Sequence, residues 1–126
     1  MTTSETTLTR EALFEKAARR YEVVDVDGWG KVGIRSRSQV GKSRRETAMF
    51  DDDGKLIRSV YDMRQIHMLI DQLMVDETTP MFTESDVEAL GELDGVKLEP
   101  LHAAVWLFNA TEDPKKTDAS NDSQEN

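Results

Sequence analysis

The sequence predicts an α+β protein with a small antiparallel β hairpin or sheet in its N-terminal half, followed by a helical C-terminal part, with disordered termini. Two β-rich runs flank a glycine-containing turn, and further along the chain apolar residues recur at helical spacing. We therefore expect a single α+β domain over residues 9–110, β-rich over 21–60 and helical over 62–109. Residues 1–8 are rich in Thr and Ser, and 111–126 form an acidic tail without a large apolar residue, so both are predicted to be disordered.

The first predicted elements are a helix and a hairpin. Thr9 is a suitable N-cap for an amphipathic helix over Arg10–Arg20, which places Leu13, Phe14, Ala17 and Ala18 on one face. The following runs Tyr21–Val26 and Lys31–Arg35 are β-rich, and two glycines in the segment Asp27-Gly28-Trp29-Gly30 allow a tight turn between them.

The middle of the chain is predicted less completely. Residues 36–47 are polar and basic with no firm period, so they are assigned as a loop or a short helix. The turn Asp52-Asp53-Gly54-Lys55 can join short strands at 47–50 and 56–60.

The C-terminal half is predicted as three helices. The first begins at Asp62 with a capping-box spacing to Gln65 and carries a buried apolar stripe: Met63, Ile66, Leu69, Ile70, Leu73 and Met74. The second is short, capped by Thr83 at the Asp86 amide and fixed by a staple between Phe82 and Val87. The third follows the turn Leu93-Asp94-Gly95 and runs to about Asn109, with Pro100 expected in its first turn.

Composition excludes several classes of protein. The 126 residues contain no cysteine, so disulfides, thiol nucleophiles and thiolate metal sites are excluded. No apolar run is long enough to span a bilayer, and the first residues lack the pattern of a signal peptide, so we expect an intracellular protein that does not contact membranes. The net charge of -9 argues against nucleic acid as a partner, although residues 31–47 contain six basic residues and one acidic residue.

No motif predicts a catalytic, cofactor or metal site. The segment Gly41-Lys42-Ser43 fails as a phosphate-binding loop because Ser36 stands where the first glycine is required. Asp51–Asp53 fail as a calcium loop because Met49 and Val60 occupy its first and twelfth positions. His67 and His102 have no convergent third ligand, and no serine is framed by a general base. The sequence therefore predicts a protein that is not an enzyme.

Three apolar residues fall where a partner could reach them. Met68 lies nearly opposite the core stripe of its predicted helix. In the last helix Trp106 projects from the far side of an apolar stripe formed by Leu98, Leu101, Ala104, Val105 and Phe108. Trp29 lies between two glycines at the tip of the hairpin, where it either anchors a partner or folds back over the core. Exposed Met and Trp side chains are typical partner-binding residues, so these three are the candidate contact residues.

The order of segments resembles that of the tail assembly chaperones of long-tailed bacteriophages. The likeness covers roughly residues 21–110 and is carried by the hairpin at Trp29-Gly30-Lys31-Val32, the helix ending in Val75-Asp76-Glu77, the run from Pro80 to Leu90, and the helix reaching Leu107-Phe108-Asn109. One departure is Thr78-Thr79-Pro80, where relatives commonly carry an Asp-Gly-Lys-like turn.

The resemblance implies a non-enzymatic chaperone that binds the tape measure protein, helps to recruit the major tail tube protein and leaves before the virion is complete. Its expected location is the cytoplasm of the bacterial host, and self-association stays an open alternative. Two other interpretations are kept: a structural tail or connector subunit retained in the virion, and an acidic protein-binding regulator.

Overall fold

The computed structural model describes residues 7–111, which form three strands and six α-helices. The strands are β1 (Tyr21–Val26), β2 (Gly30–Arg35) and β3 (Leu73–Met74). The helices are α1 (Arg10–Lys16), α2 (Gln39–Ala48), α3 (Arg58–Asp62), α4 (Arg64–Gln72), α5 (Val87–Gly91), which follows a 3₁₀ turn at Glu84–Asp86, and α6 (Gly95–Ala110). The predicted α+β fold is confirmed. The predicted disordered segments lie outside the described residues, except for residues 7, 8 and 111.

The three strands form one antiparallel sheet in the order β1-β2-β3. The predicted hairpin is confirmed, with Val24 opposite Val32 and Val26 opposite Gly30. Gly28 and Gly30 have positive φ angles of 85° and 88°, which a side chain would disfavour. The turn sequence therefore fixes the hairpin register.

The core lies between the sheet and the two helices α4 and α6. It consists of Val26, Val32 and Ile34 from the hairpin together with Leu69, Leu73, Leu98, Leu101, Val105 and Phe108. The stripe predicted on the last helix supplies four of these residues, so the C-terminal helix is the main cover of the sheet. Burial of large apolar side chains is the main favourable term in folding, so this contact stabilises the domain.

The predicted short strands at 47–50 and 56–60 are wrong. Residues 39–48 form α2, which Ser38 caps by accepting a hydrogen bond from the Gly41 amide at 3.0 Å. The Asp51 carboxylate accepts from the Asp53 and Lys55 amides at 2.9 Å and closes the predicted turn. Only one bridge, Phe50 to Leu56, flanks the turn, because α2 ends at Ala48 and α3 begins at Arg58 and little extended chain is left between them.

The predicted helix over residues 62–75 is divided in the structure. It breaks at Met63 between α3 and α4, and the predicted Asp62 cap is absent, since Asp62 instead accepts from Arg58 Nε at 3.1 Å. At its end, Leu73 and Met74 leave the helix and pair with Ile34 and Gly33 of β2. The unpaired edge of β2 satisfies the backbone groups of these two residues, which helical periodicity could not show.

The remaining helix ends differ from the prediction in detail. Helix α1 stops at Lys16 rather than Arg20, although Thr9 does cap it by accepting from the Ala12 amide at 3.1 Å. In α6, Asp94 caps the Val96 amide at 2.9 Å, and Pro100 lies in the second turn rather than the first. Proline there cannot donate to a backbone carbonyl, but the helix continues around it.

The capping box predicted before the short helix is present, but it begins the 3₁₀ turn at Glu84–Asp86, and α5 follows from Val87. Thr83 and Asp86 form a capping box, in which the Thr83 amide donates to the Asp86 carboxylate at 2.8 Å. Phe82 packs against the core, and Val87 is half-buried. The staple between these two side chains stays a prediction. Among residues 7–111 no helix is long and apolar enough to cross a bilayer.

Candidate protein-binding groove

Residues of α2, α3, α4 and α6 line an open groove of about 970 Å³. We call it the helical groove. Apolar groups of six residues line it: Met49, Val60, Tyr61, Met68, Ala103 and Trp106. Its polar lining comes mainly from Arg37, Lys42, Arg45, Glu46, Arg64, Gln65, His67, Gln72, His102 and Asn109. A lining that combines apolar side chains with polar and charged ones is usual for a surface that binds a helical segment.

Two of the three predicted contact residues meet in this groove. Trp106 lines it and is 66% exposed, which confirms that its ring projects away from the core. Met68 also lines it, but it is half-buried and packs against the core, whereas a position nearly opposite the core was expected. The difference arises because α6 packs along α4 on this side, which a projection of one helix cannot reveal.

Trp29 lies apart from the helical groove. Its indole Nε1 donates to the Lys97 carbonyl oxygen at 3.0 Å, so the ring is bound to the first turn of α6 while remaining 49% exposed. Of the two interpretations kept for Trp29, this contact favours the ring folded back over the protein. Its structural use is to hold the hairpin tip on α6.

The basic stretch of residues 31–47 is partly neutralised where its side chains line the helical groove. Arg45 makes two hydrogen bonds to the Asp71 carboxylate, at 2.7 and 2.9 Å, and Arg37 Nε donates to the same carboxylate at 2.9 Å. Arg45 also pairs with Glu84. The hydrogen bond to Asp71 raises the pKa of Arg45, with smaller support from Glu84. This network joins α2 to α4 and to the start of α5 and shapes one wall of the groove.

His67 and His102 stand on two walls of the groove. Burial lowers the pKa of each imidazole, and the Arg45 cation lowers that of His67 further. The buried Nε2 of His102 has no hydrogen-bond partner among the described residues. Within residues 7–111 no group of three His, Asp or Glu side chains is placed to hold a metal ion.

Sequence reasoning missed the remaining apolar lining. Met49 and Val60 come from segments assigned to strands, and Tyr61 lies between the second of these and the helix predicted from Asp62, so none of the three was placed on a helix face. A detectable signal was the spacing of Tyr61 and Arg64, three residues apart, which on a helix brings the two side chains together. The Arg64 guanidinium indeed lies 3.9 Å from the centre of the Tyr61 ring.

A second uncovered apolar surface belongs to α1. No residue of this helix is buried, and Leu13 and Phe14 are 46% and 61% exposed. The Arg10 guanidinium lies 4.6 Å from the centre of the Phe14 ring and partly shields it. Helix α1 therefore adds an amphipathic face that the domain's own core does not use.

Comparisons of this chain with protein-family models, with curated proteins and with solved structures give no match.

Proposed function

We propose that this protein is a non-enzymatic tail assembly chaperone of a long-tailed bacteriophage and that its helical groove binds an amphipathic helix of the tape measure protein. In this proposal the chaperone keeps the long partner chain from aggregating and helps to recruit the major tail tube protein. It acts in the cytoplasm of the bacterial host and leaves before the virion is complete. The resemblance in segment order supports the choice of family.

The observation that carries the binding role is the exposure of Trp106 in a groove that Met68 also lines. An indole ring that is 66% in solvent contributes little to the free domain. The same ring becomes a strong contact once a partner covers it, because large aromatic side chains dominate the energetics of protein interfaces. Met68 beside it has a flexible, polarisable side chain that adapts to different apolar partners.

The size of the groove fits a helical partner. About 970 Å³ of open volume accommodates several apolar side chains, which a helix presents at positions i, i+3, i+4 and i+7. The polar residues of the lining supply hydrogen-bonding groups and charges that set the orientation of the partner without contributing most of the affinity.

The test is to co-express the chaperone with the tape measure protein encoded by the same phage and to measure the yield of the complex. Trp106→Ala is expected to weaken binding by about 2 kcal/mol while leaving the melting temperature almost unchanged. Leu107→Ala is the matched control, because Leu107 is the next residue, is 61% exposed and does not line the groove.

Equal loss of binding in both variants, or a large fall in melting temperature for Trp106→Ala, would assign Trp106 to the fold and remove the groove as the binding site.

Mass spectrometry of purified virions separates the chaperone from a retained tail or connector subunit. A chaperone is expected to be absent from the virion, and stoichiometric amounts would favour the structural subunit.

A further inference from the structure

One cation of the helical groove has no acidic partner among residues 7–111. The Lys and Arg side chains that line the groove are Arg37, Lys42, Arg45 and Arg64. The first three form ion pairs with carboxylates of α2, of α4 or of the turn before α5. Arg64 forms no ion pair within the described part of the chain. Arg64 is therefore the positive charge that a bound partner meets without breaking an existing pair.

Arg64 is held in place although it is exposed. Its guanidinium lies 3.9 Å from the centre of the Tyr61 ring, and its Nη1 donates to the Tyr61 carbonyl oxygen at 2.9 Å. The Nε and Nη2 groups, which form one edge of the guanidinium, make no hydrogen bond to the described residues. This edge is the one that binds a carboxylate through two parallel hydrogen bonds. Because the stack already restricts the side chain, less conformational entropy is lost when a carboxylate binds.

The surroundings of Arg64 limit what can bind to it. Tyr61, Met68 and Trp106 line the same groove, so a ligand that fills the groove also meets apolar side chains. A small inorganic anion would leave these uncovered, whereas an amphipathic helix presents apolar and charged side chains on one face. A segment rich in acidic residues would be repelled by the net charge of -9. The occupant that fits is an amphipathic helix with one acidic side chain among its apolar contact residues.

We infer that the helix bound in the helical groove carries an Asp or Glu about one turn from its apolar contact residues, and that this carboxylate pairs with Arg64. The inference rests on the proposed function and adds the chemistry by which the groove selects a segment of the tape measure protein. A wholly apolar helix would cover the guanidinium without supplying an acceptor, and a charge that is desolvated and unpaired weakens binding. The groove therefore discriminates against such helices.

The probes are overlapping synthetic peptides of about 20 residues that together cover the tape measure protein encoded by the same phage. Fluorescence anisotropy with the full chain measures the Kd of each peptide. A peptide that binds is expected to contain an Asp or Glu whose replacement by Asn or Gln weakens binding by about five- to tenfold. Tight binding of a peptide without any such acidic residue would overturn the inference.

Arg64→Gln is expected to weaken binding of the same peptide by about five- to tenfold, because it removes the charge and the two-pronged contact. Arg58→Gln is the matched control, since Arg58 is also exposed, pairs with Asp62 at 3.1 Å and does not line the groove. It should leave the Kd unchanged. Equal losses in the two variants would assign the effect to general charge and overturn the inference.

An exchange of charges is the decisive experiment, because Arg64→Gln also removes the stack on Tyr61. Arg64→Glu should bind the parent peptide more weakly than Arg64→Gln does, since two carboxylates then face each other. It should bind a peptide whose acidic residue is replaced by Lys to within about threefold of the parent complex. If the exchange restores no binding, Arg64 does not contact the acidic residue and the inference is wrong.

The outcomes separate this inference from the proposed function. Peptide binding that is lost in Trp106→Ala but unchanged in Arg64→Gln retains the groove as the binding site and rejects the acidic contact. If neither the peptides nor the intact tape measure protein bind, the chaperone role is rejected and the inference falls with it. Sedimentation tests a second copy as the occupant: self-association that Arg64→Gln reduces, in a chain that binds no peptide, would overturn the inference.

Discussion

Gln72 and Asn109 form a reciprocal pair of side-chain amides where α4 meets the end of α6. Gln72 Nε2 donates to Asn109 Oδ1 at 2.7 Å, and Asn109 Nδ2 donates to Gln72 Oε1 at 3.0 Å. Gln72 also donates to the Arg35 carbonyl oxygen at 3.2 Å and is only 1% exposed. One buried glutamine thus connects the sheet, α4 and α6, and both amide residues line the helical groove.

Removing one partner of this pair should destabilise the fold. Gln72→Leu leaves the Asn109 amide and the Arg35 carbonyl without their partner, and we expect a loss of about 1–3 kcal/mol in the free energy of unfolding. Chemical denaturation measures this loss. In a double-mutant cycle with Asn109→Ala, the two losses should sum to more than the loss in the double variant, because the second change removes a group already unpaired. Strict additivity would contradict a direct amide contact.

Asp71 should be the most important carboxylate for joining α2 to α4. Asp71→Asn removes the negative charge between Arg37 and Arg45, whose side chains are both largely buried. We expect a loss of about 1–2 kcal/mol, smaller than for a fully buried pair because solvent screens part of the interaction. Asp25→Asn is the matched control, since its pair with Lys31 at 3.4 Å is exposed and should contribute almost nothing. Equal losses in the free energy of unfolding for Asp71→Asn and Asp25→Asn would show that burial of the Asp71 ion pairs does not increase their contribution to stability.

Stability should fall as the pH drops below the ordinary histidine pKa of 6.5. Burial lowers the pKa of His67 and His102 in the folded state, so the unfolded chain binds protons at a higher pH than the folded one. The stability that the neutral imidazoles provide is complete above pH 6.5 and is lost as the pH falls through their folded pKa values.

Urea denaturation between pH 5 and pH 8 tests this pH dependence. His102→Gln should flatten part of the slope below pH 6.5 and leave the slope above it unchanged. An unaltered slope would mean that other groups carry the pH dependence.

The two threonine caps should differ in their effect on stability. Thr83→Ala removes half of the capping box before α5, which holds the buried Leu90, so we expect a loss of about 1 kcal/mol in global stability. Thr9→Ala removes the cap of α1, which buries nothing, so global stability should change little. Thermal denaturation measures the first effect, and amide hydrogen exchange within α1 should detect local fraying in the second. A large global loss from Thr9→Ala would show that α1 packs on the domain.

The sequence alone determined the hairpin and the last helix. Gly28 and Gly30 surround a turn that only certain backbone angles permit, and β-branched residues on both sides leave little alternative to antiparallel pairing. In the last helix the stripe of Leu98, Leu101 and Val105 repeats with the helical period, and all three residues are buried. Local geometry and periodicity are sufficient for both elements.

The groove was only partly predictable. The exposure of Trp106 follows from its angle around one helix, so the sequence identified it. Met68 was selected because its angle around the predicted helix placed it opposite the core. In the structure it is partly buried, and this burial depends on how α6 crosses α4. Tyr61 lines the groove because residues 58–62 form a helix. That segment is too short for its sequence pattern to distinguish a helix from a strand.

Tertiary structure alone decided where α4 ends and which polar groups are buried. Leu73 and Met74 continue the helical stripe in the sequence, but the free edge of β2 offers their backbone groups hydrogen bonds and draws them into the sheet. From the sequence alone, Gln72 would be expected to face solvent. In the structure its hydrogen-bond partners are Asn109 and Arg35, each 37 positions away in the chain. Periodicity reports which face of an element is apolar, whereas long-range hydrogen bonds depend on elements that the chain brings together only on folding.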